Sequence, residues 1–94
     1  MIPLFDVGTV LLSRRALEVL RDAGIHPFVL IRRHESGDWG TLDSLEWRLN
    51  DRAIVYGGQS IASQYTFGRG LDVWVVTQAS RRSTRIVLAE EAGR

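Results

Sequence analysis

The hydrophobic pattern of this chain changes period once, at Gly57-Gly58. Before that pair the apolar residues recur at about 3.6-residue helical spacing, and after it they alternate every second position. Helices followed by a run of strands, joined by short connections, predict an α+β domain. The expected architecture is an N-terminal strand and about three helices packed on a C-terminal three-stranded antiparallel meander.

The boundaries follow from local chemistry. Asp6 to Leu12 is apolar and β-branched enough for a short strand. Ser13 is an N-cap, and Ala16, Leu17, Leu20 and Ala23 then fall at helical spacing up to Gly24, a C′ residue. Pro27 opens a second helix through Phe28, Leu30 and Ile31 to about His34. Ser36-Gly37-Asp38-Trp39-Gly40 reads as a turn. Asp43 and Glu46 form a capping box, and Leu42, Leu45, Leu49, Ala53 and Tyr56 make one apolar stripe, expected to face the core, with Trp47 and Ile54 beside it. Beyond the glycine pair, Gln59 to Phe67 alternates Ile61, Ser63, Tyr65 and Phe67 against Ser60, Ala62, Gln64 and Thr66. Gly68-Arg69-Gly70 is a hairpin connection, Leu71 to Thr77 is nearly all apolar, as expected of a central strand covered on both sides, and Thr84 to Ala89 is the last strand.

Ninety-four residues leave room for one domain, 1–94, with 90–94 expected as a loose tail. Hydrophobic residues at 45% and charged residues at 24% suffice for a packed core, which excludes a disordered segment. A core this small is often supplemented by a second copy, so a homodimer is one expectation. Cysteine is absent, which excludes disulfides, thiolate zinc sites and cysteine nucleophiles and suits a reducing compartment. No signal peptide or membrane-length apolar run is visible, so a cytoplasmic protein without membrane partners is expected.

The formal net charge of +1 argues against a strong, undirected nucleic-acid binder. All 12 basic residues are arginine, a side chain suited to bidentate contacts with phosphate or carboxylate. Their balance shifts along the chain. Up to Gly58 there are seven arginines against eight acids, and from Gln59 onward five against three. Contact with nucleic acid would therefore run through the Arg-rich C-terminal third.

Candidate site residues are few. His34, Glu35 and Asp38 carry metal-binding atoms, but their spacing matches no compact ligand motif, and no metal or cofactor is expected. His34 ends a helix, where a cation is favoured, and Asp38 holds a turn. Trp39, between Asp38 and Gly40, is either an interface anchor or a core plug. Arg81, Arg82 and Arg85, with Arg69, are either a basic surface for phosphate or an acidic partner or solvated loop charges, the Arg81 loop and the Arg69 hairpin being expected at opposite ends of the meander. There is no phosphate loop and no Gly-x-Ser-x-Gly elbow.

Arg33-His34, Gly37-Asp38-Trp39-Gly40, a helix ending near Gly57, Ser63-x-Tyr65 and Trp74-Val75-Val76-Thr77 together resemble a set of small uncharacterised proteins encoded on bacterial plasmids and integrated elements. The resemblance runs from about Gly8 to Leu88 and includes Asn50 and the closing Ile86-Val87-Leu88. Its most specific part is His34 through Gly40. The chain departs from the pattern after Thr77, where acidic residues are replaced by Gln78-Ala79-Ser80-Arg81-Arg82. The resemblance implies a mobile-element context and the fold outline, and supplies no catalytic residues.

Two function classes follow. The first is a non-enzymatic accessory protein that occupies a surface on a protein partner, in one version an inhibitor of a host defence complex of the anti-CRISPR or anti-restriction type. Its binding residues would be Trp39, Asp38, Arg69, Arg81, Arg82 and Arg85. The second rests on a loose likeness in element order to the RelE-like RNA-cleaving toxins. It requires Tyr65, Arg81, Arg85 and His34 to converge on one phosphate-holding site.

Overall fold

A computed structural model describes residues 2–68 and 70–92. The elements are β1 (Thr9–Leu12), α1 (Arg14–Asp22), α2 (Pro27–Glu35), α3 (Ser44–Tyr56), β2 (Ile61–Phe67), β3 (Leu71–Thr77), β4 (Ser83–Leu88) and a final 3-10 turn, Ala89–Ala92. The domain is α+β. Local signals set most of the ends. The Ser13 side chain accepts from the Ala16 amide, Pro27 occupies the first turn of α2, and the Asp43 carboxylate accepts from the Glu46 amide at 2.8 Å. The His26 ring supplies the cap of α2 by accepting from Phe28.

β2, β3 and β4 form the expected antiparallel meander. The first strand corrects the rest of that expectation. β1 is shorter than Asp6 to Leu12 and pairs parallel to β4, giving one mixed four-stranded sheet of order β1-β4-β3-β2. Two hairpin reversals after the helices return β4 in the direction of β1, and the chain ends meet in one sheet. Glu90 and Glu91, assigned to a loose tail, are engaged. Glu90 pairs with Arg15 at 2.8 Å, and the Glu91 carboxylate accepts from the Ser13 hydroxyl and the Leu88 amide. The hydrogen bond from Ser13 holds the Glu91 carboxyl below its ordinary pKa.

Alternation places Ile61, Ser63 and Tyr65 of β2 on the same face as Val73, Val75 and Thr77 of β3 and Thr84, Ile86 and Leu88 of β4. Ala16 and Leu20 of α1 and Leu30 and Ile31 of α2 pack there as the main core. A second, smaller core joins Trp39, Ala53 and Ile61, with Phe5, Leu42 and Ile54 at its margin.

α3 is turned differently from its apolar stripe. Leu45, Leu49 and Tyr56 are 62%, 56% and 75% exposed, whereas the buried positions of the helix are Asn50 and Ala53. The cause is the edge of β2. The Asn50 amide donates to the Ala62 carbonyl at 2.7 Å and accepts from the Ala62 amide at 3.2 Å, so one side chain does the work of a neighbouring strand. Aiming Asn50 inward leaves the leucines about a quarter-turn away, toward solvent. Asn50→Ala would strand both Ala62 groups and is expected to cost roughly 2 kcal/mol in urea unfolding. Asn50→Asp should cost at least as much, because a carboxylate can satisfy the Ala62 amide but repels its carbonyl.

Candidate functional site

His34 sits in the last turn of α2, facing the sheet, and is fully buried with Ser63, Thr77 and Thr84. Its Nδ1 is 2.5 Å from the Ser63 hydroxyl and its Nε2 is 2.9 Å from that of Thr77. Thr77 lies 2.6 Å from Thr84, and Thr84 donates to the Val7 carbonyl at 2.7 Å. The proton positions follow from the far end. A carbonyl only accepts, so Thr84 donates to Val7 and must accept from Thr77. Thr77 then accepts from Nε2–H, and Nδ1 accepts from Ser63. The result is a one-way chain in which His34 is a neutral Nε2–H tautomer.

The surroundings enforce that neutrality. The rings of Phe5 and Trp39 meet His34 edge-on at 5.1 and 5.7 Å. Desolvation lowers its pKa to about 3. This corrects the reading of His34 as a cation favoured by the helix end, because its interior site outweighs the helix dipole. Both ring nitrogens are occupied by hydroxyl groups, which also leaves none for a metal. Ser63 and His34 share the contact of a nucleophile and its base. Yet both are sealed from any substrate, and an imidazole of such low basicity would be a poor base at neutral pH.

The Asp38-Trp39-Gly40 segment is likewise structural. Trp39 is fully buried and its indole N–H donates to Asp51 at 3.3 Å, so it is a core plug rather than a surface anchor. Asp38 accepts from Arg33 Nε at 2.7 Å and from the Gly40 amide at 3.1 Å. The Arg33 hydrogen bond holds the Asp38 carboxyl below its ordinary pKa. Tyr65 donates to the Asp38 carbonyl at 2.7 Å under the Arg33 guanidinium, which lies 4.3 Å from its ring centre. Burial raises the Tyr65 pKa above its ordinary value, keeping the phenol protonated.

The candidate arginines are dispersed. Arg81, with φ 63°, turns its guanidinium inward. It donates to the carbonyls of Gln59, Gln78 and Ala79 and, through Nη2, to Ala53 near the end of α3. Arg82 is exposed in the loop before β4. Arg85 is exposed on β4, and alternation sets it on the sheet face opposite Tyr65. Arg69 lies outside the described residues. Tyr65, Arg81, Arg85 and His34 therefore do not converge, and the phosphate-holding site of an RNA-cleaving toxin is not assembled by them.

Compared with protein-family models, curated proteins and solved structures, the chain matches none.

Two surface features lie outside the predicted sites. One is the sheet face turned away from both cores, where Leu11 is 48% exposed and Ala62, Gln64, Val76 and Val87 are half-buried around Arg85. Trp74, in the middle of that face, is 6% exposed. The other is the α3 flank, which forms one wall of a groove of about 520 Å³ facing Ser60 and Ala62. The apolar residues between the core-facing positions of β3 and β4, Val76 and Val87, were the signal for the first, which the sequence expresses as a strand covered on both sides. The buried Ser63, Thr77 and Thr84 carried a similar signal, since three hydroxyls on one core face require a shared polar partner. Among the described residues no helix is long and apolar enough to cross a membrane.

Proposed function

We propose that this chain is a non-enzymatic protein-binding module that seats a partner against the open face of its sheet. The observation that carries the reading is that Leu11 and Arg85 stand exposed side by side on the sheet face turned away from both hydrophobic cores, next to the half-buried Val76 and Val87. A sheet with apolar residues on both faces gains by covering the second one. Leu11, Arg85, Val76 and Ala62 share one row across four strands, so the fitting partner surface is apolar with a carboxylate opposite Arg85. The side chains that could have carried chemistry, His34, Ser63, Tyr65 and Arg81, are committed to internal hydrogen bonds, which supports binding over turnover. With the mobile-element resemblance, the module is read as an accessory protein that occludes a host defence complex.

The test is a tagged capture from host lysate, with and without nuclease, using the wild-type chain and the Leu11→Glu/Arg85→Glu double variant. A nuclease-resistant protein partner is expected, with recovery falling at least about tenfold in the variant, the equivalent of one lost charged anchor. Equal recovery by both chains would remove the sheet face from the reading. Capture that disappears with nuclease would replace the protein partner by nucleic acid.

A further inference from the structure

The sheet has two edges, and the fold treats them differently. On the β2 edge, the Ala62 backbone groups are taken by the Asn50 side chain, and those of Gln64 bond to Trp39 and Thr41. β1 forms the other edge. The Thr9 amide donates to the Arg82 carbonyl at 3.0 Å and the Ser13 amide to the Ile86 carbonyl at 3.1 Å. Backbone groups alternate in direction along a strand, so Thr9, Leu11 and Ser13 serve β4, while Val10 and Leu12 turn their N–H and C=O groups outward. Among the described residues those outward groups have no partner. α1 turns back over β4, with Ala16 and Leu20 in the main core, and supplies no hydrogen bond to them. Thr9–Leu12 also lacks the proline, charge or bulge that commonly guards a sheet edge.

We infer that a second copy of this chain adds its own β1 antiparallel to this edge, about a two-fold axis at Leu11. The outward groups fix the register. Val10 of one copy and Leu12 of the other exchange N–H and C=O as a hydrogen-bonded pair, and symmetry repeats the exchange. Leu11 then faces its own counterpart as a closely spaced non-hydrogen-bonded pair, which covers a side chain left 48% exposed in the single chain. Val10 and Leu12, packed at the margin of the main core, meet on the opposite face.

The charges at the two ends of β1 favour a second copy, and favour it antiparallel. The same register sets Gly8 across from Arg14 of the second copy. The Asp6 carboxylate accepts from the Gly8 amide at 3.0 Å, so the acid is held at that position, and Arg14 is exposed. Among the described residues neither Asp6 nor Arg14 has an ion-pair partner. The two-fold brings the acidic entry of each β1 to the basic exit of the other, as an isologous interface requires, whereas parallel pairing would set like charges together. The product is one continuous sheet across both copies. It is built on the backbone edge rather than the open face, and it does not rest on the reading above.

Sedimentation velocity over about 1 μM to about 1 mM chain, with amide exchange followed residue by residue, decides it. The wild-type mass is expected to rise from one copy to two, and exchange at the Val10 and Leu12 amides to slow at least about tenfold over the same range. Val10→Pro removes an outward N–H and leaves the hydrogen bonds to β4 in place, as proline does on an edge strand. With circular dichroism unchanged, it should weaken the dimer at least about tenfold. Should that variant not fold, Leu11→Lys sets like charges on the axis and carries the same expected loss. A wild-type chain that stays monomeric throughout overturns the inference, as does a dimer whose Val10 and Leu12 amides exchange as in the monomer, or one unaffected by the substitution. A monomer whose edge amides slow only on capturing a partner would replace the second copy by a strand of that partner. Val10→Pro keeps Leu11 and Arg85 in place, so protein capture by that variant tests the sheet-face reading separately.

Discussion

Gly40→Ala is expected to destabilise the fold by about 3 kcal/mol or more, lowering the melting temperature by roughly 15 °C for a domain of this size. Gly40 has φ 76° and forms a parallel bridge to Gln64, where the Gln64 amide donates to the Trp39 carbonyl at 3.1 Å and Thr41 donates to the Gln64 carbonyl at 2.8 Å. A Cβ at Gly40 would overlap the Gln64 carbonyl and come within 2.8 Å of the Tyr65 ring. Because the nearest obstacle is backbone, relief requires opening those hydrogen bonds and moving the strap that covers β2. Gly58→Ala is the control. Gly58 has φ 77° but nothing within 4 Å of its Cβ position, so alanine there meets only conformational strain of about 1 kcal/mol. Urea unfolding of both variants separates the two contributions. Equal losses would mean that the close approach at Gln64 contributes nothing.

The second large effect is acid sensitivity between pH 7 and pH 5. In the unfolded chain His34 titrates near its ordinary value of 6.5, whereas in the fold burial holds it at about 3. The depressed value means that the unfolded state takes up the proton first. The stabilising preference is therefore complete above pH 6.5, declines as pH falls, and is exhausted near pH 3. Between pH 7 and pH 5 the loss should be roughly 2 kcal/mol, a substantial fraction of a small domain's stability. Among the described residues the hydrogen-bond and ring partners of His34 are the Ser63 and Thr77 hydroxyls and the Phe5 and Trp39 rings, none of which carries a charge to compensate an imidazolium. Urea midpoints at pH 7, 6 and 5 should fall in sequence, and imidazole nitrogen shifts should show the Nε2–H tautomer still in place at pH 5. A flat stability profile, or a ring that protonates in the native state near pH 6, would contradict the buried neutral histidine. Below this window Asp38 adds to the acid loss, since the hydrogen bond from Arg33 depresses its pKa and that contribution disappears once the carboxylate protonates.

The origin of these effects was only partly visible in the sequence. Gly40 was legible as a turn residue, but not as a point of contact with a strand more than twenty residues away. Tyr65 was legible as sharing one face of β2 with Ile61 and Ser63, and Asp38 as the holder of its turn. The position of His34 at a helix end favours a cation, and no local signal reveals the two hydroxyls on the sheet that hold it neutral. Arg81 and Arg85 looked like parts of one basic surface. In the fold, the first is spent on four backbone carbonyls and the second stands alone on the open face.

What the sequence determined by itself was the element list and its punctuation: caps at Ser13 and Asp43, proline at the start of α2, and the meander that follows Gly57-Gly58. Those signals act within a turn or two of chain, through cap hydrogen bonds, fixed proline φ and side-chain alternation, so they survive whatever surrounds them. Tertiary structure decided the direction in which β1 pairs, the face that α3 turns inward and the protonation of His34. Each depends on which polar groups meet across long sequence separations. A buried amide or imidazole must find its partners, and the two hydrogen bonds between the Asn50 side chain and the Ala62 backbone prevailed over the burial of three exposed side chains, Leu45, Leu49 and Tyr56.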